Sequence, residues 1–204
     1  MIGIIDYGMG NVQAFSRVYK LLEMPHVLID SPAKLNNKIS KIILPGVGSF
    51  DHAMSSLNAS NIRNKLDEYV LTRNIPTLGV CVGFQIFCRD SDEGEAKGLG
   101  WIEATVKKLN KGNLDRKMPL PHMGWNTINV ERDDKIIEGI DFKKGFYYLH
   151  SYHVASDPNY IIASSEYGEK INAIFRYKNL IGIQPHPEKS HSNGIKFLEN
   201  FGKL

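Results

Sequence analysis

The 204-residue chain has two cysteines, and only one of them sits where a thiol could do chemistry. In LGVCVGFQIF, residues 78–87, the run Gly79-Val80-Cys81-Val82-Gly83 is a G-x-C-x-G pattern. That is the thiol form of a nucleophile elbow, a sharp strand-to-helix turn that holds one side chain clear of the sheet. The flanking glycines let neighbouring backbone approach without a Cβ clash. Oriented N–H groups at the start of the following helix favour the thiolate and lower the pKa from its free value of about 8.5. A small buried hydrophobe is the competing reading of Cys81, since free cysteines are among the most buried residue types, and the short pattern alone does not decide. Cys88 has no comparable setting and reads as structural.

A base is supplied by QPHPEKS, residues 184–190. Pro185 and Pro187 fix their own φ and push the preceding residues out of the helical region, so the segment is expected to be extended, with His186 and Glu188 on one side. A histidine oriented by a carboxylate can activate a thiol and later protonate a leaving group. An oxyanion site is suggested by PGVGSF at residues 45–50, whose proline and glycines cannot continue a regular strand. In an open parallel sheet, loops at the carboxyl ends of strands gather around one crevice, so this loop should face Cys81. Its peptides can present an N–H to a developing oxyanion, together with the N–H of Val82.

These three segments need a scaffold, and the first half of the chain supplies its pattern. Short apolar runs at 2–5, 26–29, 41–44 and 77–80 alternate with helix-period segments, which implies crossover connections and a mostly parallel sheet in an α/β fold. Val12, Phe15, Val18, Tyr19 and Leu22 form one helical stripe; Ile62, Leu66, Tyr69 and Val70 form another. The helix after Cys81 is expected to end by about residue 90. From Trp101 onward TVKKL, WNTINV, GFYYLHSYHVA, YIIASSEYG, KINAIFRY and LIGIQ are β-rich and read as antiparallel additions to the sheet and its edge. Residues 191–204 carry Ile195, Leu198 and Phe201 at helical spacing and should close the fold. The length suits one α/β domain over residues 1–204.

Composition narrows the function classes. With 42% apolar and 23% charged residues and no long apolar run, membrane insertion is not expected, and a net charge of +3 is too small to argue for nucleic acid. The opening MIGIIDYGMGN lacks the basic and apolar regions of a secretory signal, so the expected location is cytoplasmic. Two cysteines provide neither a disulfide framework nor a metal-site spacing, and no cofactor is implied.

Together, G-V-C-V-G-F-Q, the upstream P-G-V-G-S-F and the downstream H-P-E-K-S resemble the class I (triad) glutamine amidotransferases over nearly the full chain. Within that family, D-Y-G-M-G-N at 6–11, P-H-M-G-W-N at 121–126 and L-H-S-Y at 149–152 resemble the glutaminase subunits that work with a HisF-type (β/α)8-barrel synthase. The resemblance implies the family's three-layer α/β fold and attack by Cys81 on the side-chain amide of L-glutamine, with His186 as base and acid and Glu188 as its orienter. It places Val47 and Gly48 in the oxyanion loop. Gln85 and Glu93, with the backbone around Ser151 and Tyr152, match positions that hold glutamine. Asn11, Trp125 and Lys189 match a docking surface in a heterodimer, where ammonia passes to the partner for imidazole glycerol phosphate and AICAR formation in histidine biosynthesis. Val82 and Phe84 replace the more usual leucine and methionine, which leaves open a paralogue supplying ammonia for surface-polysaccharide sugars. Two rivals of other kinds are a cysteine hydrolase or peptidase and a non-catalytic subunit; the former does not need the docking motifs, and the intact Cys81, His186 and Glu188 speak against the latter.

Overall fold

A computed structural model describes residues 1–110, 112 and 118–204. The first half alternates β1 (Ile2–Ile5), α1 (Val12–Leu21), β2 (His26–Ile29), β3 (Lys41–Leu44), α2 (Phe50–Ala59), α3 (Arg63–Asp67), β4 (Thr77–Val80) and α4 (Val82–Gln85). The second half runs through β5 (Asp90–Ser91), β6 (Thr105–Lys108), β7 (His122–Asn126), β8 (Asn129–Val130), β9 (Phe146–His150) and β10 (Tyr152–Ala155). It ends with β11 (Ile161–Glu166), β12 (Lys170–Tyr177), β13 (Leu180–Ile183) and α5 (His191–Lys203). Among the described residues no helix is long and apolar enough to cross a membrane.

The main sheet has the order β2-β1-β3-β4-β13-β12-β11-β8. Strands β2, β1, β3, β4 and β13 are parallel, and β12, β11 and β8 extend the sheet antiparallel. Every residue of β1, β4 and β13 is buried, the signature of parallel strands covered on both faces. Strand order reverses around β1, and the crevice beyond the carboxyl ends at such a point is where an open α/β sheet receives ligands.

Three expectations change. LIGIQ is no antiparallel edge: β13 inserts beside β4 in parallel register, with Gly182 opposite Gly79 and Ile183 opposite Val80. Its all-apolar run carries no information on direction, and only the return of the chain from β12 sets it. Among the described residues the other β-rich segments divide among three sheets, because β5, β6 and β10 form a separate three-stranded sheet and β7 and β9 a two-stranded one. The helix after Cys81 is a single turn, and PGVGSF opens directly into α2, whose Phe50, Ala53, Met54 and Leu57 form a buried stripe. The stripe from Ile62 to Val70 is one helical run, α3 continuing through a wider turn at Glu68–Thr72.

Candidate active site

Three neighbouring strands end side by side, and each releases one of the chemical segments. Leu44 of β3 leads into PGVGSF, Val80 of β4 into Cys81, and Ile183 of β13 into QPHPEKS. The segments interlock through glycines. A Cβ on Gly83 would stand 1.9 Å from the Leu44 carbonyl oxygen, one on Gly46 2.2 Å from the Gly83 nitrogen, and one on Gly79 2.6 Å from Phe84 Cα. The elbow therefore needs its glycines for close approach. The unusual torsion falls on Cys81 itself, at φ 53° and ψ −114°, a region that costs a non-glycine residue about 1–3 kcal/mol. The Cys81 N–H donates to the Ile183 carbonyl at 2.8 Å, which ties the turn to the strand that leads into His186.

Cys81 is only 3% exposed, yet it forms part of the wall of a cavity of about 320 Å³. Both readings of the thiol thus hold in part: the residue is packed, and its sulfur borders open space. Because α4 is one turn long, its dipole contributes little there, and the neighbours of the sulfur matter more. Gln184 Nε2 donates toward Sγ at 3.7 Å, and the Leu149 carbonyl accepts from it at 3.9 Å. His186 is buried, with Nδ1 2.9 Å from Glu188 Oε1, so its other nitrogen is the one left for the sulfur. Burial opposes the charge on His186, but Cys81 and Glu188 outweigh it and raise the imidazole pKa from 6.5 to about 10. QPHPEKS is not extended throughout: Pro187–Lys189 is a 3-10 turn with Pro187 in its first position, and the turn brings Glu188 back under His186.

Val47, Gly48, Val82, Gln85 and Glu93 also line the cavity, as do Ser151 and Tyr152. Val82 N–H is the first of α4 and has no acceptor within the helix; Val47 and Gly48 stand exposed across from it, Gly48 at φ 94°. Glu93 accepts the Phe50 N–H at 2.8 Å, so this carboxylate closes the N-terminus of α2 in place of Ser49. Gln85 Nε2 donates to the Tyr152 carbonyl at 2.8 Å and to Gln184 Oε1 at 3.2 Å. Cys88 is fully buried away from the cavity, and burial pushes its thiol pKa up.

Asn11, Trp125 and Lys189 do not line the cavity. Asn11 caps α1, its Oδ1 accepting from Ala14 N–H at 3.2 Å, and α1 touches the turn that carries Lys189. Trp125 is 49% exposed and stacks on His191 at 5.2 Å, while Lys189 Nζ lies over the Tyr147 ring at 5.7 Å. Exposed Val47 and Leu149 add apolar surface to the cavity wall, and exposed Met123 lies opposite Leu149 on β7.

Sequence reasoning passed over Gln184 and His150. Gln184 is a fully buried amide two positions before His186, and His150 is a buried residue on the cavity wall. A polar residue closing an all-apolar strand was the available signal for Gln184.

The pattern of the family described as Glutamine amidotransferase class-I matches residues 4–203. The chain is 42% identical to the imidazole glycerol phosphate synthase subunit HisH of Leptospira interrogans and 40% identical to that of Bdellovibrio bacteriovorus, with 100% of each chain covered in both cases. A crystal structure of a glutamine amidotransferase shares the fold, with a TM-score of 0.71 at 17% identity over 98% of both chains.

Proposed function

Given that this chain belongs to the class-I glutamine amidotransferases, we propose that it is the glutaminase subunit of an imidazole glycerol phosphate synthase, acting as one amidotransferase domain. The observation that supports the chemistry is the convergence of Cys81 with the His186–Glu188 pair at the ends of adjacent parallel strands.

Cys81 Sγ attacks the side-chain carbonyl carbon of L-glutamine as its proton passes to His186. Val82 N–H and the peptides of Val47 and Gly48 receive the oxyanion. As the tetrahedral adduct collapses, the C–N bond breaks, His186 protonates the leaving nitrogen, and ammonia departs from a γ-glutamyl thioester. Water then attacks the thioester with His186 as base; the C–S bond breaks and glutamate leaves. Glu188 keeps the imidazole in one orientation and stabilises its cation. Gln85, Glu93 and the peptides at Ser151 and Tyr152 hold the substrate.

Free ammonia is protonated and dispersed in water, so the product is useful only if an acceptor covers the cavity. A HisF-type (β/α)8-barrel synthase subunit is the proposed partner, docking over Asn11, Trp125 and Lys189. Exposed Met123, Trp125, Leu149 and Val47 beside the cavity support this reading, since an apolar surface of that kind is an interaction surface.

Reconstitution with the barrel subunit tests the proposal. Glutamine hydrolysis should be feeble for the chain alone and rise when the nucleotide-loaded partner is added. Cys81→Ala should abolish glutamine-dependent turnover while the partner still uses ammonium salts. Full glutamine-dependent turnover by that variant would exclude the thioester.

A further inference from the structure

The strand pair β7–β9 has two faces. With His122 opposite His150, Met123 opposite Leu149 and Trp125 opposite Tyr147, alternation sends Met123, Trp125 and Leu149 outward and both histidines inward. His122 is held between Tyr148, at 4.5 Å and 20°, and Tyr167, at 3.9 Å and 18°. Its Nδ1 lies 3.0 Å from His150 Nε2, and His150 Nδ1 lies 2.9 Å from the Tyr152 carbonyl oxygen.

The direction of every bond in this line follows from its ends. A carbonyl can only accept, so His150 carries its proton on Nδ1 and presents Nε2 as an acceptor. His122 must then donate from Nδ1, which leaves its Nε2 to accept from the Asn126 amide at 3.3 Å. That amide is oriented in turn by donating to the Glu166 carbonyl at 3.0 Å. A further proton on His150 would set one N–H against another. Burial pushes both rings toward the neutral form, His122 to about 4 and His150 to about 3, with His122, His153 and His186 adding to the effect on His150.

The Tyr152 carbonyl accepts from His150 on one side and from Gln85 on the other, and Gln85 continues through Gln184 to the Cys81 sulfur. We propose that His150 is a positioning residue for glutamine: locked by His122 in its Nδ1–H tautomer, it holds the Tyr152 carbonyl, which fixes the plane of the Tyr152–His153 peptide and through it the Tyr152 backbone on the cavity wall. This rests on the glutaminase reading of the cavity. His150 takes no proton in the reaction; its work is to hold the Tyr152 backbone that lines the cavity, from the buried side of a strand pair whose other face is the proposed docking surface.

Two substitutions separate this role from simple packing, measured in the reconstituted complex. His150→Gln keeps a polar group near the Nε2 position and loses the donor to Tyr152; His150→Asn keeps a donor at the Nδ1 position. Loss of one such bond should raise KM for glutamine about tenfold in His150→Gln with kcat little changed, while His150→Asn stays within about twofold of the unaltered complex. The partner's ammonium-dependent rate should be unchanged in both, reporting that folding and docking survive. Equal KM in the two variants, or an unaltered KM in His150→Gln, overturns the proposal. Imidazole 15N NMR of the unsubstituted protein provides a readout independent of turnover: the neutral Nδ1–H tautomer of His150 should persist between about pH 6 and 8. An Nε2–H tautomer or an imidazolium there overturns it. Absence of any glutamine hydrolysis in the unsubstituted complex would instead count against the glutaminase reading, with the tautomer still measurable.

Discussion

His186 and Glu188 are two positions apart, and their side chains meet at 2.9 Å with only 2% and 1% of their side-chain surfaces exposed. A buried carboxylate with one partner and a buried imidazole beside a thiol stabilise each other's charge, and pH should reveal it. The folded-state pKa of His186 is raised from 6.5 to about 10, so the stability it contributes is complete below the unfolded value and is lost as pH rises through the folded one. The gap in urea stability between the unaltered chain and Glu188→Gln should be widest below about pH 6.5 and narrow toward about pH 10. A gap that widens with rising pH would contradict the ion pair.

Gln184→Met keeps the volume of a fully buried side chain but removes the N–H aimed at the sulfur and the acceptor used by Gln85. Glutaminase kcat/KM in the complex should fall by about tenfold or more, since each lost hydrogen bond in a water-poor site costs about 1 kcal/mol or more. Unchanged kinetics would show that the amide only fills space.

Gly83→Ala forces a methyl group to within 1.9 Å of the Leu44 carbonyl oxygen, where strand and elbow backbone must both move. A loss of about 3 kcal/mol or more in unfolding free energy is expected, at the severe end for a single methyl group. Chemical denaturation checks it, and a loss below about 1 kcal/mol would mean that the loops are not interlocked as described.

Trp125→Ala removes the large ring exposed on the outward face of β7 and frees His191 from its stack. Affinity for the barrel subunit should drop about tenfold to a hundredfold, the range for truncating an aromatic anchor. Calorimetric titration measures this, and an unaltered Kd would move the docking surface elsewhere.

Much of the site was legible because each of its parts is local. The G-x-C-x-G turn, the proline-framed His186 and Glu188, and the glycine loop at 45–50 are short segments whose residue types restrict backbone or carry charge. Their meeting was legible too, since strand-end loops of a parallel sheet share one side. The histidine line was not. His122 and His150 lie 28 positions apart, and nothing in PHMGWN or LHSY signals that two strands pair so that their rings touch.

Local torsional limits, periodicity and side-chain chemistry are enough to read the α/β scaffold and to pick out the candidate reactive residues from the order of the chain alone. Tertiary structure decided the direction of β13, the division of the later strands into three sheets, and the partners of Gln184, Glu93 and His150. These depend on which distant segments come within hydrogen-bonding reach, and an apolar strand such as LIGI can pair in either direction until its neighbours choose one.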